Sequence, residues 1–151
     1  MSFTWDWSLT FRALPALLSG LYITVQATFI GMSVALILGL VWALLRRSSI
    51  RLLAWPAALL VEFVRGTPLL VQLYFLLFWL PETGLRISAL ATGILGLGLH
   101  YSAYTSEVYR AGIDSVDRGQ WEAARALNLS RARTFLRIIF PQSLRPIWPT
   151  L

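Results

Sequence analysis

The sequence predicts an all-α, polytopic membrane protein, and three observations lead there. Of its 151 residues, 57% are hydrophobic and only 13% are charged, and the mean hydropathy is +0.66, too apolar for an ordinary soluble domain. The apolar residues fall in uncharged runs as long as a bilayer requires, about 20 residues per helical crossing. The charge lies between those runs: all 13 basic residues are arginine, set against 7 acids.

Taken in order, the first run has no charge from Ala13 to Leu45 and predicts a span over 14–45. The second, 52–80, is interrupted only by Glu62 and Arg65. The third covers 87–109 and is uncharged from Ile87 to Ser106, and the fourth, 134–151, is incomplete at Leu151. All of 1–151 therefore reads as one transmembrane domain. Met1 to Thr10 lacks the positive region of a cleavable signal. Trp5 and Trp7 instead suit anchors at the headgroup level, in a segment preceding the first span. Arg46, Arg47 and Arg51 separate spans one and two, and Arg110, Arg118, Arg125, Arg131, Arg133 and Arg137 separate spans three and four. Only Arg12 and Arg86 fall on the other side. The positive-inside rule then puts the arginine-rich loops in the cytoplasm and the N-terminus outside.

Polar residues inside the spans are costly and call for partners. An arginine at membrane depth costs about 2.5–3.5 kcal/mol on insertion scales, so Arg65 needs a counter-charge or a wet cavity. Glu62, three residues earlier, is the expected partner, and Glu107 and Arg110 repeat the spacing in span three. Gly66, Thr67 and Pro68 follow Arg65. Pro68 has no N–H for the Val64 carbonyl, which predicts a kink with a free acceptor, and broken helices at membrane depth commonly line sites or gates. Span three has His100, Tyr101, Ser102, Tyr104 and Thr105 at its middle. They read either as a helix–helix hydrogen-bond cluster or, facing Thr67 and Gln72, as the lining of a path for a zwitterionic solute. Pro141, Pro146 and Pro149 predict a bent or interrupted fourth helix.

The segment "RGQWEAARALNLSRARTFLRIIFP" between the last two spans is of another kind. Trp121, Ala124 and Leu127 recur at helical spacing, and Ala and Arg are strong helix formers, so a short helix is expected over 119–128. Asn128 suits the left-handed residue after a helix, Leu129 an apolar latch, and Ser130 the cap of the next helix. Small alanine side chains would let another protein approach closely.

The spacing Glu122-Ala123-Ala124, three residues, Asn128, nine residues, Ile138-Ile139-Phe140-Pro141 resembles the EAA loop of ATP-binding cassette (ABC) importer permeases. Asn128 stands where that pattern has glycine, and Phe140 where it has leucine. "EFVRGTPLLVQLYFLLFWLP" and "YSAYTSEVYRAGIDSVDRGQWEAA" are similar to the polar amino-acid branch, the histidine, glutamine and arginine permeases, and the start "SFTWDW" to permeases for ectoine and hydroxyectoine. The resemblance implies a type I importer transmembrane domain with a five-helix core, of which about three and a half spans are present here. It also implies a coupling helix over about 119–128 that docks on a separate ABC ATPase subunit, with Gly119, Gln120, Glu122, Ala123, Ala124, Asn128 and, at the close of the motif, Pro141 as the coupling residues. The ATPase would use ATP and Mg, this chain binding no cofactor. Further implied partners are a second permease subunit, identical or not, an extracytoplasmic solute-binding protein and the inner-membrane bilayer. Translocation or gating would fall to Glu62, Arg65, Gly66, Thr67, Pro68, Gln72, His100, Tyr101, Tyr104 and Glu107.

The residue inventory agrees with the division of labour. A phosphate-binding Walker loop ends in Gly-Lys-Ser/Thr, and a chain without lysine cannot contain one. No cysteine and one histidine argue against a thiolate or histidine metal site. The arginines alternate with apolar runs and form no aromatic-laced patch, which argues against nucleic acid. Two other readings are an ion-coupled carrier or channel, and a membrane anchor whose basic loop binds anionic lipid.

Overall fold

The computed structural model describes residues 7–150, the Thr150 side chain excepted; the Trp5 anchor and the "SFTWDW" start fall wholly or largely outside them. Helix α1 (Trp7–Arg46) is 40 residues long, about 60 Å at 1.5 Å per residue, twice the hydrocarbon thickness of about 30 Å. The stretch expected to lie as a separate segment at the headgroups is, from Trp7 onward, the first two turns of this same helix, which continues through Pro15. Its outward side is apolar along its length, with Phe11, Leu17, Phe29 and Ile37 exposed.

Helices α2 (Arg51–Gly66) and α3 (Leu69–Tyr74) replace the second run, and α3 continues through a π turn, Phe75–Trp79, into a 3-10 turn, Leu80–Thr83. The expected kink is a break of 101°. Thr67 is extended (φ −102°, ψ 127°) and Pro68 follows at φ −57° and ψ 139°, as the crowding of a proline against the preceding residue demands. By length and apolarity α1 is sufficient to cross a bilayer, and the bent pair Arg51–Gly66 with Leu69–Thr83 passes when counted as one.

Helix α4 (Ala89–Asp114) is the centre of the fold. Ser88 caps it by accepting from the Ala91 N–H. It runs parallel to α1: Gly31 meets Gly98, Gly39 meets Ser102 and Thr105, and Arg47 meets Asp114. The α3 limb returns alongside it in the opposite sense, Gln72 opposite His100 and Leu73 against Gly96. Because α3 follows α4 and the break turns the chain by 101°, α2 lies across the α1–α4 pair. It presses Val61 and Val64 onto Ala103, Leu99 and Trp42.

After the short α5 (Arg118–Ala126), α6 (Arg131–Thr134) leads through a second π turn, Phe135–Ile139, into α7 (Phe140–Ile147) and a 3-10 turn, Trp148–Thr150. Ser130 caps α6 through the Arg133 N–H, as expected. Both π turns stand one residue ahead of a proline. The Leu80 N–H reaches the Phe75 carbonyl before Pro81, and the Phe140 N–H reaches the Phe135 carbonyl before Pro141. A proline ring collides with the carbonyl four residues back, and the wider π turn relieves that collision without ending the helix. The fourth run is thus widened ahead of Pro141, carries Pro146 inside α7, and stays helical.

Candidate functional site

Two arrangements stand out, one along α4 and one just beyond its C-terminal end. At the lower end of α4 Glu107 gathers three guanidinium groups. Its Oε1 accepts from Arg46 of α1 at 2.9 Å and from Arg65 of α2 at 3.1 Å. Its Oε2 accepts twice from Arg110, at 3.0 and 2.9 Å. Three cations against one half-buried carboxylate leave a local positive excess where three helices meet. Arg47 and Asp114 pair about two turns further along α4.

The expected Glu62–Arg65 pair does not form; Arg65 is bound to Glu107 instead. Helical geometry gives the reason. At 100° per residue, Arg65 lies close to the direction of buried Val61, whereas Glu62 is rotated away from both Val61 and Val64. Glu62 is exposed and has no ion-pair partner among the described residues. The Glu107–Arg110 pair does form.

The carbonyls orphaned by Pro68 are satisfied by Gln72. Its Nε2 donates to Val64 O at 2.9 Å and to Thr67 O at 3.0 Å, and lies 3.2 Å from His100 Nδ1. The Val64 carbonyl, expected free, therefore has partners, the Thr67 N–H also reaching it at 3.4 Å. One amide spans both limbs of the break and touches α4, while its own Oε1 is buried with no partner. Gly66, the last residue of α2, has open space around it.

The polar belt of α4 divides. Ser102 and Thr105 turn to α1, Ser102 accepting from Trp42 Nε1 at 3.2 Å and Thr105 donating to the Ala35 carbonyl at 2.9 Å. His100 and Tyr104 lie on the other side and form an aromatic group with Tyr101, which itself borders Thr28 and Met32 of α1, with ring centroids 5.2 to 6.5 Å apart. The Arg65 guanidinium lies 5.5 Å from the Tyr104 ring centroid, within cation–π range. Thus Arg65, Thr67, Gln72, His100, Tyr104 and Glu107 are brought together, Tyr101 lies half-exposed beside them, and Glu62 stands apart.

The second arrangement is α5. Asp117 caps it, Oδ1 accepting from the Gly119 N–H at 2.6 Å. At its end Asn128 is the one non-glycine residue with positive φ among the described residues, at 53°. The Leu129 N–H reaches Ala124 O at 3.0 Å and the Asn128 N–H reaches Arg125 O at 2.9 Å, the two bonds of a Schellman end. Trp121 packs on Ile113, Val116 and Ile139, and Ala124, on the same side, is 1% exposed. The small-residue face is therefore divided: Ala124 belongs to the chain's own packing, and Glu122, Ala123 and Leu127 point outward, Leu127 72% exposed. Gln120 Oε1 accepts from Gln142 Nε2 at 3.1 Å, tying α5 to α7 just past Pro141.

Sequence reasoning missed Arg46 as a third ligand of Glu107 and missed the four-residue repeat Gly31, Ala35, Gly39, Ala43, the buried stripe of α1. The repeat was readable as a small-xxx-small pattern. The Gln120–Gln142 bond had no sequence signal.

Residues 35–151 match the family described as binding-protein-dependent transport system inner membrane component. A probable amino-acid ABC transporter permease protein, y4tG of Sinorhizobium fredii, is 51% identical over 99% of this chain and 67% of its own length. The arginine transport system permease protein ArtQ of Bacillus subtilis is 36% identical, over 97% of this chain and 67% of its own. A crystal structure of an amino acid ABC transporter with histidines superposes with a TM-score of 0.85 at 38% identity, covering 98% of this chain and 69% of that one. The chain belongs to this family of membrane proteins, the transmembrane components of ABC importers.

Proposed function

We propose that the chain is the permease subunit through which a polar amino acid enters the cytoplasm, driven by a separate ATPase that docks on α5. The carrying observation is α5 itself: a nine-residue helix closed at both ends, anchored inward by Trp121 and Ala124, and presenting Glu122, Ala123 and Leu127 outward. Such a helix is a rigid lever arm. Movement of a protein gripping its outer face would pass to the end of α4 through Ile113 and to α7 through Gln142.

In this reading the chain crosses the inner membrane several times with its N-terminus outside, since α1 and α4 run parallel and bring Arg46, Arg47 and Arg110 to one end. ATP and Mg are used by the partner ATPase and the chain has no nucleotide site of its own, in keeping with its lack of lysine. A second permease subunit and a solute-binding protein complete the transporter. Arg65, Gly66, Thr67, Pro68, Gln72, His100, Tyr101, Tyr104 and Glu107 line or set the passage, with Glu62 facing outward on the same helix. Relatives named for amino acids, including L-cystine and arginine, support an α-amino acid over a ring amidine such as ectoine.

The test is uptake into vesicles containing the complete transporter. Ala123→Phe should abolish ATP-driven uptake while the subunit still inserts, whereas an ion-coupled carrier would be indifferent to it. His100→Leu should change uptake kinetics at normal expression, and unchanged kinetics would remove His100 from the passage. Ligand identification on the co-purified binding protein fixes the solute.

A further inference from the structure

Two groups of arginines in this chain differ in their partners. Arg46, Arg47, Arg65 and Arg110 hold carboxylates. Arg118, Arg125, Arg131, Arg133 and Arg137 have no acid partner among the described residues, and Glu122 is the only acid from residue 118 to the end. Unpaired guanidinium groups at this density repel one another and call for an external anion.

Their placement narrows the anion. Arg125 of α5 and Arg131 of α6 stand with Arg47 around an open cleft of about 730 Å³ between the end of α1 and the start of α6. No carboxylate lines it, and between the arginines and Thr134 its wall has an apolar part made by Leu44, Trp121, Leu129 and Phe135. Leu44 sits in the last turn of the long apolar helix α1, so the cleft opens where that helix passes from apolar to charged residues. A soluble phosphate would gain nothing from the apolar wall. A docking protein would meet the opposite side of α5, where Ala123 and Leu127 are exposed, since Trp121 and Arg125, four residues apart, share the cleft side; Glu122 lies between the two sides and borders a neighbouring cleft with Asp114 and Arg118.

We propose that this cleft binds the phosphate of an anionic phospholipid of the cytoplasmic leaflet, Arg125 and Arg131 holding the phosphate and Leu44 and Phe135 receiving the first methylenes of its acyl chains. The inference rests on the inside location of the arginine-rich end. A lipid seated there would brace α5 against α1, making coupling sensitive to the charge of the membrane.

The experiment uses the complete transporter in nanodiscs of phosphatidylcholine alone or mixed with phosphatidylglycerol, with lipid retention read by native mass spectrometry and uptake read in matching vesicles. The Arg125→Gln/Arg131→Gln double variant should lose phosphatidylglycerol retention by roughly thirtyfold, about fivefold per guanidinium near an anionic surface. Its uptake should become independent of phosphatidylglycerol, and the Arg125→Lys/Arg131→Lys variant should behave as wild type. Three results would overturn the proposal: equal retention in wild type and variant; displacement of the lipid by inorganic phosphate, which would mean a general anion site; or loss of the ATPase from the variant in phosphatidylcholine alone, which would assign these arginines to the ATPase. A variant that fails to assemble is replaced by Arg131→Gln alone, judged by the same readouts.

Discussion

The two faces of α4 are built on opposite principles. Toward α1 the contact is small and dry: Gly31, Ala35, Gly39 and Ala43 recur every fourth residue and let the backbones approach until Thr105 hydrogen-bonds to Ala35 O at 2.9 Å. Toward α2 and α3 the contact is polar and interrupted: a broken helix, a shared amide at Gln72, and Arg65 of α2 held on Glu107, a carboxylate that Arg46 at the very end of α1 also reaches. Without water to drive helices together, close packing of small residues gives a membrane pair its rigidity, while polar groups at depth are expensive and are kept where motion or passage requires them. A closely packed pair thus stands beside a broken, polar third span.

The largest effect that could break this contrast is expected at Gly39. A Cβ there would lie 2.9 Å from Thr105 Cβ and 3.0 Å from the Ser102 carbonyl oxygen, both too close to relieve by a side-chain rotation. Gly39→Ala should cost about 1–3 kcal/mol by overpacking and lower the amount of folded subunit in detergent thermal melts. Gly20→Ala in the same helix, with open space around it, should leave the melt unchanged or raise it.

Next comes Glu107→Gln, which strips three arginines of their carboxylate. Breaking a buried pair costs about 3–5 kcal/mol, and the partial exposure of Glu107 and Arg65 reduces this toward about 2 kcal/mol. Uptake should fall steeply with a smaller loss of melting temperature; unchanged uptake would demote the cluster to packing.

Smaller again is Gln72→Leu, which leaves the Thr67 carbonyl without its side-chain partner and Val64 with a weak one, at about 1–2 kcal/mol. A distance between spin labels on α2 and α3 should broaden while expression stays normal. The least effect is expected of Glu62→Gln, within about 0.5 kcal/mol on the melt as for an unpaired surface group. A large loss would show that the outward face of α2 has a partner in the assembled transporter.

The sequence made the all-helical class legible because long uncharged runs have no other stable use, and it made the ends of α5 legible because Asn128 and Ser130 act through bonds to their own neighbourhood. The break at Pro68 was legible for the same local reason. What it hid depended on rotation and on distant neighbours. Glu62 and Arg65 have the spacing of a pair, yet only the direction in which Val61 and Val64 are buried decides that Arg65 turns to Glu107. Ala123 and Ala124 are equivalent as letters, and the docking of Trp121 against Ile113 and Ile139 makes one outward and the other inward. Gln120 meets Gln142 across 22 residues, a separation no local pattern encodes.

That inequality of adjacent alanines offers the most direct measurement. The chain has no cysteine, so Ala123→Cys and Ala124→Cys each introduce a single reactive thiol. In the assembled transporter a short bifunctional reagent should join the first to the ATPase in high yield, in a manner altered by ATP, and leave the second unreacted. Equal reaction at both positions, or capture of the ATPase through the second alone, would contradict the role given to α5.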